Sequence, residues 1–140
     1  MKFLPLAALV AAFSLPLILS DSTAATAATP TEDTVRIGLN YPETGPYSVQ
    51  GLDQIRAAQI AIDEINADGG VLGQTIELVT RDTRSNADIA TANAKELIDN
   101  EDCSMLFGGS SSAVAIATGK VCQEKSVPFF GTLTYSTATT

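Results

Sequence analysis

Histidine is absent from the 140 residues. A Ser-His triad, a histidine-rich zinc site and a histidine general base therefore cannot be built from this chain alone. Basic residues are scarce too: eight lysines and arginines stand against sixteen aspartates and glutamates, a formal net charge of -8. With no basic patch and no interleaving of basic and aromatic residues, nucleic acid and anionic membrane surfaces are disfavoured as partners. Cysteine is limited to Cys103 and Cys122, and there is no Cys-x-x-Cys, so a redox-active pair is not expected. No Gly-x-Gly-x-x-Gly follows the first predicted strand, which removes the dinucleotide fingerprint. Gly119-Lys120 is not a phosphate-cradling loop, because Val114 stands where the first glycine is needed and Val121 where Ser or Thr is needed. No metal or cofactor is expected.

What is present is a packed chain: 45 % of residues are hydrophobic and 17 % charged, enough for one globular domain. Its N-terminus reads as an export signal. Lys2 is followed by an apolar run over residues 3–19 that is short for a membrane span. Small residues come next, and Ser22-Thr23-Ala24 and Ala25-Thr26-Ala27 both suit a signal peptidase. Residues 1–28 are read as signal peptide and cleavage region, 29–34 as a linker, and 35–140 as the folded domain. An uncleaved anchor is the alternative reading of the apolar run. Export into an oxidising compartment favours a Cys103–Cys122 disulfide. Cys103 would start a strand and Cys122 would end the helix after it, so both lie at one edge of a βα unit. Loop closure would then contribute about 3 kcal/mol.

Periodicity gives the rest. Strands are predicted over residues 35–40, 75–82, 103–107 and 127–131, and helices over 49–67, 87–100 and 113–124. In the first helix Leu52, Ile55, Ala58, Ile62 and Ile65 form the apolar stripe, with Gln54, Arg56, Asp63 and Glu64 mostly outside. Gly69-Gly70 stops it, since glycine takes the left-handed conformation freely. Arg84-Ser85-Asn86 can cap the second helix. The third is expected to bury Ala113, Ile116, Ala117 and Val121. A βαβαβαβ order implies a doubly wound α/β domain with a parallel sheet and right-handed crossovers.

In such sheets ligands sit beyond the carboxyl ends of the strands. That rule selects residues 41–51, 82–86, 108–112 and 133 onward. Gly108-Gly109-Ser110-Ser111-Ser112 opens a helix, with glycines for close backbone approach and hydroxyls beside unpaired N–H groups. Such a corner suits a small anion, above all a carboxylate. N-capping explains one serine, not three. Tyr41 and Tyr47 in the first loop either cap the sheet end or touch a ligand.

Several runs carry a resemblance: Val35-Arg36-Ile37-Gly38, Thr44-Gly45-Pro46-Tyr47, Ala61-Ile62-Asp63-Glu64-Ile65-Asn66-Ala67-Asp68-Gly69-Gly70-Val71-Leu72-Gly73, Ile76-Glu77-Leu78-Val79 and Arg81-Asp82. From residue 35 to 131 the chain resembles the N-terminal lobe of type I periplasmic solute-binding proteins. The nearest branch looks like the leucine/isoleucine/valine and short-chain amide or urea receptors of ABC importers. The resemblance implies two hinged α/β lobes that close on a small ligand and dock on a membrane permease. It implies that Ser111 and Ser112 hold a ligand carboxylate, Ser112 foremost. It places Leu133, Thr134 and Tyr135 at the ligand's ammonium, and Tyr47 or Gln50 nearest on the first loop. Two departures follow. Gly131-Thr132-Leu133-Thr134-Tyr135-Ser136 replaces the Ser-Pro-x-Ala-Thr-like stretch of the branched-chain receptors, which leans toward the amide or urea branch. The chain also stops at Thr140, before the second lobe.

The expectation is an extracytoplasmic, non-enzymatic binding component of an ABC importer. Its ligand would be an amino acid, a short-chain amide or urea. One rival is a ligand-sensing domain of a receptor or sensor kinase. Another is an exported hydrolase using Ser112, for which no base is available and the last glycine of a nucleophile elbow is missing.

Overall fold

The computed structural model describes residues 34–139. The expected export segment and all of the linker except Thr34 lie outside the described residues. Thr34 itself opens the first strand.

Four strands and three helices alternate: β1 (Thr34–Tyr41), α1 (Ser48–Ala67), β2 (Thr75–Asp82), α2 (Ala87–Asp99), β3 (Met105–Gly109), α3 (Ser112–Glu124) and β4 (Phe129–Thr132). A short 3₁₀ turn, Thr137–Thr139, follows. The sheet order is β2-β1-β3-β4, and every pairing is parallel. The chain steps one way from β1 to β2, then back across β1 to β3 and β4. Right-handed crossovers therefore put α1 on one face and α2 with α3 on the other. The reversal falls between β1 and β3, where a doubly wound sheet opens a crevice at its carboxyl edge.

Local chemistry explains the boundaries. Asn86 caps α2, its side chain accepting from the Asp88 and Ile89 amides at 2.8 and 3.0 Å. Gly69 and Gly70, at φ of 98° and 75°, end α1 as expected. Asn66 secures the turn that follows. It donates to the Ile76 carbonyl at 2.9 Å and accepts from the Ile76 amide at 2.8 Å, as a neighbouring strand would.

The core lies between the sheet and the α2–α3 layer. Ala94, Leu97, Cys103, Leu106, Val121 and Cys122 form its buried cluster, with Val79, Ile98, Val127 and Phe129 packed against it.

Four expectations are corrected. The run Gly108-Gly109 belongs to β3 rather than to the turn, because Gly108 pairs with both Asn40 and Gly131. A Cβ on Gly108 would come within 2.2 Å of the Asn40 carbonyl oxygen, so the close approach is to β1. In α3 the buried side is Val114, Ala115, Thr118, Val121 and Cys122, while Ala113 is exposed. Contacts from β3, β4 and α2 together set that face, not the spacing of aliphatic residues alone. In α1 only Gly51 and Ile62 are buried; Leu52 and Ile65 stay 38 % exposed and Gln54 turns inward. That face is only partly covered. An apolar groove of about 290 Å³ runs beside α1, lined by Ile37, Ala58, Ile62, Met105, Phe107 and Phe130 among others.

The fourth correction concerns sulfur. Cys103 and Cys122, expected to form a disulfide, are both free thiols in this structure and both buried. They fill core space as small apolar side chains within one cluster. Burial pushes each thiol up to about 11, which suppresses the thiolate that oxidation requires.

Candidate functional site

The carboxyl ends of β1, β3 and β4 converge, and the side chains there are mostly neutral and polar. The residues after β3 take three separate roles. Ser110 is 7 % exposed, has a φ of 62° and accepts a hydrogen bond from the Gln54 amide. Ser111 is the N-cap of α3 in extended conformation, yet its side chain makes no capping bond. Ser112 begins the helix, and its Oγ accepts from the Tyr135 amide at 3.4 Å. Capping thus uses none of the three hydroxyls, and the α3 N-terminus keeps its partial positive charge facing the rim.

The loop after β4 lies alongside. The Ser110 amide donates to the Thr132 carbonyl at 3.1 Å. Leu133 is exposed at a φ of 52°, and Tyr135 is 95 % exposed. Thr134 is half-buried, shares a 3.2 Å hydroxyl contact with Thr139, and packs its methyl where a Gly109 side chain would be. Ser111, Ser112, Leu133, Thr134 and Tyr135 are therefore one neighbourhood.

The loop after β1 joins it less directly. Tyr41 closes β1 and is buried, its hydroxyl donating to Glu43 at 3.3 Å; burial first, then the Glu43 charge, raise its pKa. It sits buried at the sheet end. Tyr47 stands at the start of α1, 42 % exposed, its amide held by the Ser85 hydroxyl at 3.2 Å. Gln50 is exposed one turn above Gln54 on the same side of α1. Among the described residues, the side-chain hydrogen bonds that link α1 to the β3 and β4 loops run through Gln54, not through Tyr47 or Gln50. Gln54 donates to Ser110 and accepts from the Thr132 hydroxyl at 3.1 Å.

Beneath the rim lies a second feature that periodicity does not reveal. Asn40 is fully buried and donates to the Ala90 carbonyl at 2.9 Å and to the Thr118 hydroxyl at 3.0 Å. Asn93 donates to Asn40 at 3.2 Å and to the Asp82 carbonyl at 3.0 Å. The only signal in the sequence was an asparagine closing an apolar strand. At the outer edge Asp82 accepts from the Thr44 hydroxyl at 2.6 Å and from the Arg84 amide at 2.8 Å, fastening two loops together.

No group of three or more histidine, cysteine, aspartate or glutamate side chains among the described residues could hold a metal ion. The arrangement offers hydroxyls, backbone amides and a helix start at the switch point of a doubly wound sheet. That defines an α/β lobe with a neutral, polar rim at its switch point.

The chain belongs to the periplasmic binding protein family, whose model matches residues 34–140. Leu/Ile/Val-binding protein homolog 7 of Brucella abortus (strain 2308) is 38 % identical over 103 residues, covering 74 % of this chain and 26 % of that protein. The substrate-binding protein LivJ of the branched-chain amino acid transporter of Streptococcus pneumoniae, in complex with isoleucine, superposes with a TM-score of 0.73. It is 29 % identical, covering 76 % of this chain and 30 % of that one. An ABC-transporter solute-binding protein of Rhodopseudomonas palustris, in complex with 3,4-dihydroxybenzoic acid, gives 0.71 at 25 % identity, covering 77 % and 29 %. The chain thus spans about a quarter of the length of the curated relatives it matches. These relatives are binding proteins, not enzymes, and the family name places them outside the cytoplasm. No helix among the described residues is long and apolar enough to cross a membrane.

Proposed function

We propose that the chain is the N-terminal ligand-binding lobe of an extracytoplasmic substrate-binding component of an ABC importer. It would be exported by a cleaved signal within residues 1–28 and deliver its ligand to a membrane permease. The observation that carries this reading is the meeting of the α3 start with the β4 loop, where Tyr135 bonds Ser112. In this reading Ser111 and Ser112, with the α3 N-terminus, hold the ligand's anionic group. Leu133, Thr134 and Tyr135 hold its polar or cationic end through backbone and hydroxyl. Tyr47 and Gln50 close the third side.

A ligand bearing a carboxylate fits better than urea or a neutral amide. Both ligands named with the structural neighbours, isoleucine and 3,4-dihydroxybenzoic acid, carry one. The α3 start is also suited to an anion. An amino acid is the first choice, and a small aromatic acid the second.

A thermal-shift panel on the longest product exported by the host tests this, with branched-chain and other amino acids, aromatic acids, short amides and urea. A ligand at 100 times its dissociation constant stabilises by about 2.7 kcal/mol. The expected result is a shift from one carboxylate class that disappears in Ser112→Ala. A two-lobed product that responds to nothing in the panel would overturn the reading.

A further inference from the structure

We infer that Gln54 is a positioning residue that clamps the two ligand-facing loops at a fixed spacing. Its two amide atoms are divided between them. Nε2 donates to the hydroxyl of Ser110, the residue just before the α3 N-cap, and Oε1 accepts from Thr132 at 3.1 Å, the last residue of β4. The Ser110 amide bond to the Thr132 carbonyl closes the ring at 3.1 Å.

Two further observations need such a clamp. Ser110 sits at a φ of 62°, a left-handed conformation unfavourable for a serine, which the bonds to its side chain and amide help to hold. Ser110 is also 7 % exposed, so its hydroxyl needs a partner inside the protein. A periodic reading of α1 puts position 54 outside, and an apolar residue there would leave two hydroxyls facing nothing. The clamp stands on this geometry. Only its purpose, holding Ser111 and Ser112 opposite Thr134 and Tyr135, rests on the ligand-binding reading.

The test is hydrogen–deuterium exchange on the full chain, comparing wild type with Gln54→Leu and Gln54→Glu. Glutamate can accept from both hydroxyls, because each can rotate to donate. In Gln54→Leu, exchange in peptides covering 108–114 and 132–136 is expected to rise about tenfold, the factor that one lost hydrogen bond commands. Peptides from β1 and β2 should be unchanged, and Gln54→Glu should restore protection. Unchanged exchange at the two loops in Gln54→Leu would overturn the clamp. So would a rise spread evenly over the domain, or no recovery in Gln54→Glu. A Gln54→Leu chain that fails to fold would leave the comparison of Gln54→Glu with Gln54→Ala to decide on the same criteria. The thermal-shift panel decides the ligand reading separately, so failure of either is visible without the other.

Discussion

Asn40 donates to the Thr118 hydroxyl across 3.0 Å, between side chains that are 0 % and 1 % exposed. One fully desolvated bond thus ties the end of β1 to the middle of α3, directly beneath the candidate site. Asn40→Ala would strand the Thr118 hydroxyl, take the second bond from the Ala90 carbonyl and open a small cavity. The expected loss is roughly 2–4 kcal/mol, read from urea denaturation. Thr118→Val keeps the volume and should cost about 1 kcal/mol.

Gly108 and Gly69 make a matched pair. Both have positive φ, but a Cβ on Gly69 meets nothing within 4 Å, whereas one on Gly108 lies 2.2 Å from the Asn40 carbonyl oxygen. Gly69→Ala should cost about 1–2 kcal/mol, the conformational penalty alone. Gly108→Ala should cost more than about 3 kcal/mol, because β1 and β3 must separate. Equal midpoints for the two variants in urea would refute the close approach.

Acid should loosen the rim through Asp82. Burial opposes its ionisation, but the Thr44 hydroxyl and the Arg84, Thr44 and Glu43 amides outweigh it and hold its pKa below the ordinary 3.8. A folded pKa below the unfolded one stabilises above the unfolded value and fades as pH falls through the folded value. Asp82→Asn should therefore lower the urea midpoint at neutral pH, with the gap closing below pH 3.8. A gap that stays constant over that range would show that ionisation is irrelevant there.

Reduced Cys103 and Cys122 should be nearly inert in the folded protein. Burial, with a smaller push from Glu101 at Cys103, raises both thiols from 9.0 to about 11. That is roughly a hundredfold less thiolate at pH 8. Native protein should react with a thiol reagent at least that much more slowly than protein in urea. The raised values also mean stability that is intact below pH 9.0 and declines as pH climbs toward 11. Fast native labelling of either cysteine would contradict their packing.

The order of strands and helices was legible because it rests on local chemistry. Glycines that end α1, an asparagine that caps α2, and apolar runs at strand and helix periods need no distant partner to be recognised. β2 was predicted with its exact limits, Thr75–Asp82, for that reason. The rim was legible as well, since a doubly wound order fixes which loops share an edge. Ser112 and Tyr135 do meet there.

The sequence by itself thus determined the α/β class, the element order and the edge at which the loops after the strands gather. Only the tertiary structure decided which residues link that edge together. Gln54 turns inward because Ser110 and Thr132, 56 and 78 residues away, offer it hydroxyls. Gly108 belongs to a strand because Asn40 lies against it. The face that α3 buries follows from what β3, β4 and α2 present to it. Each depends on partners distant in the chain, and a periodic pattern records burial along one element, not the identity of what it meets.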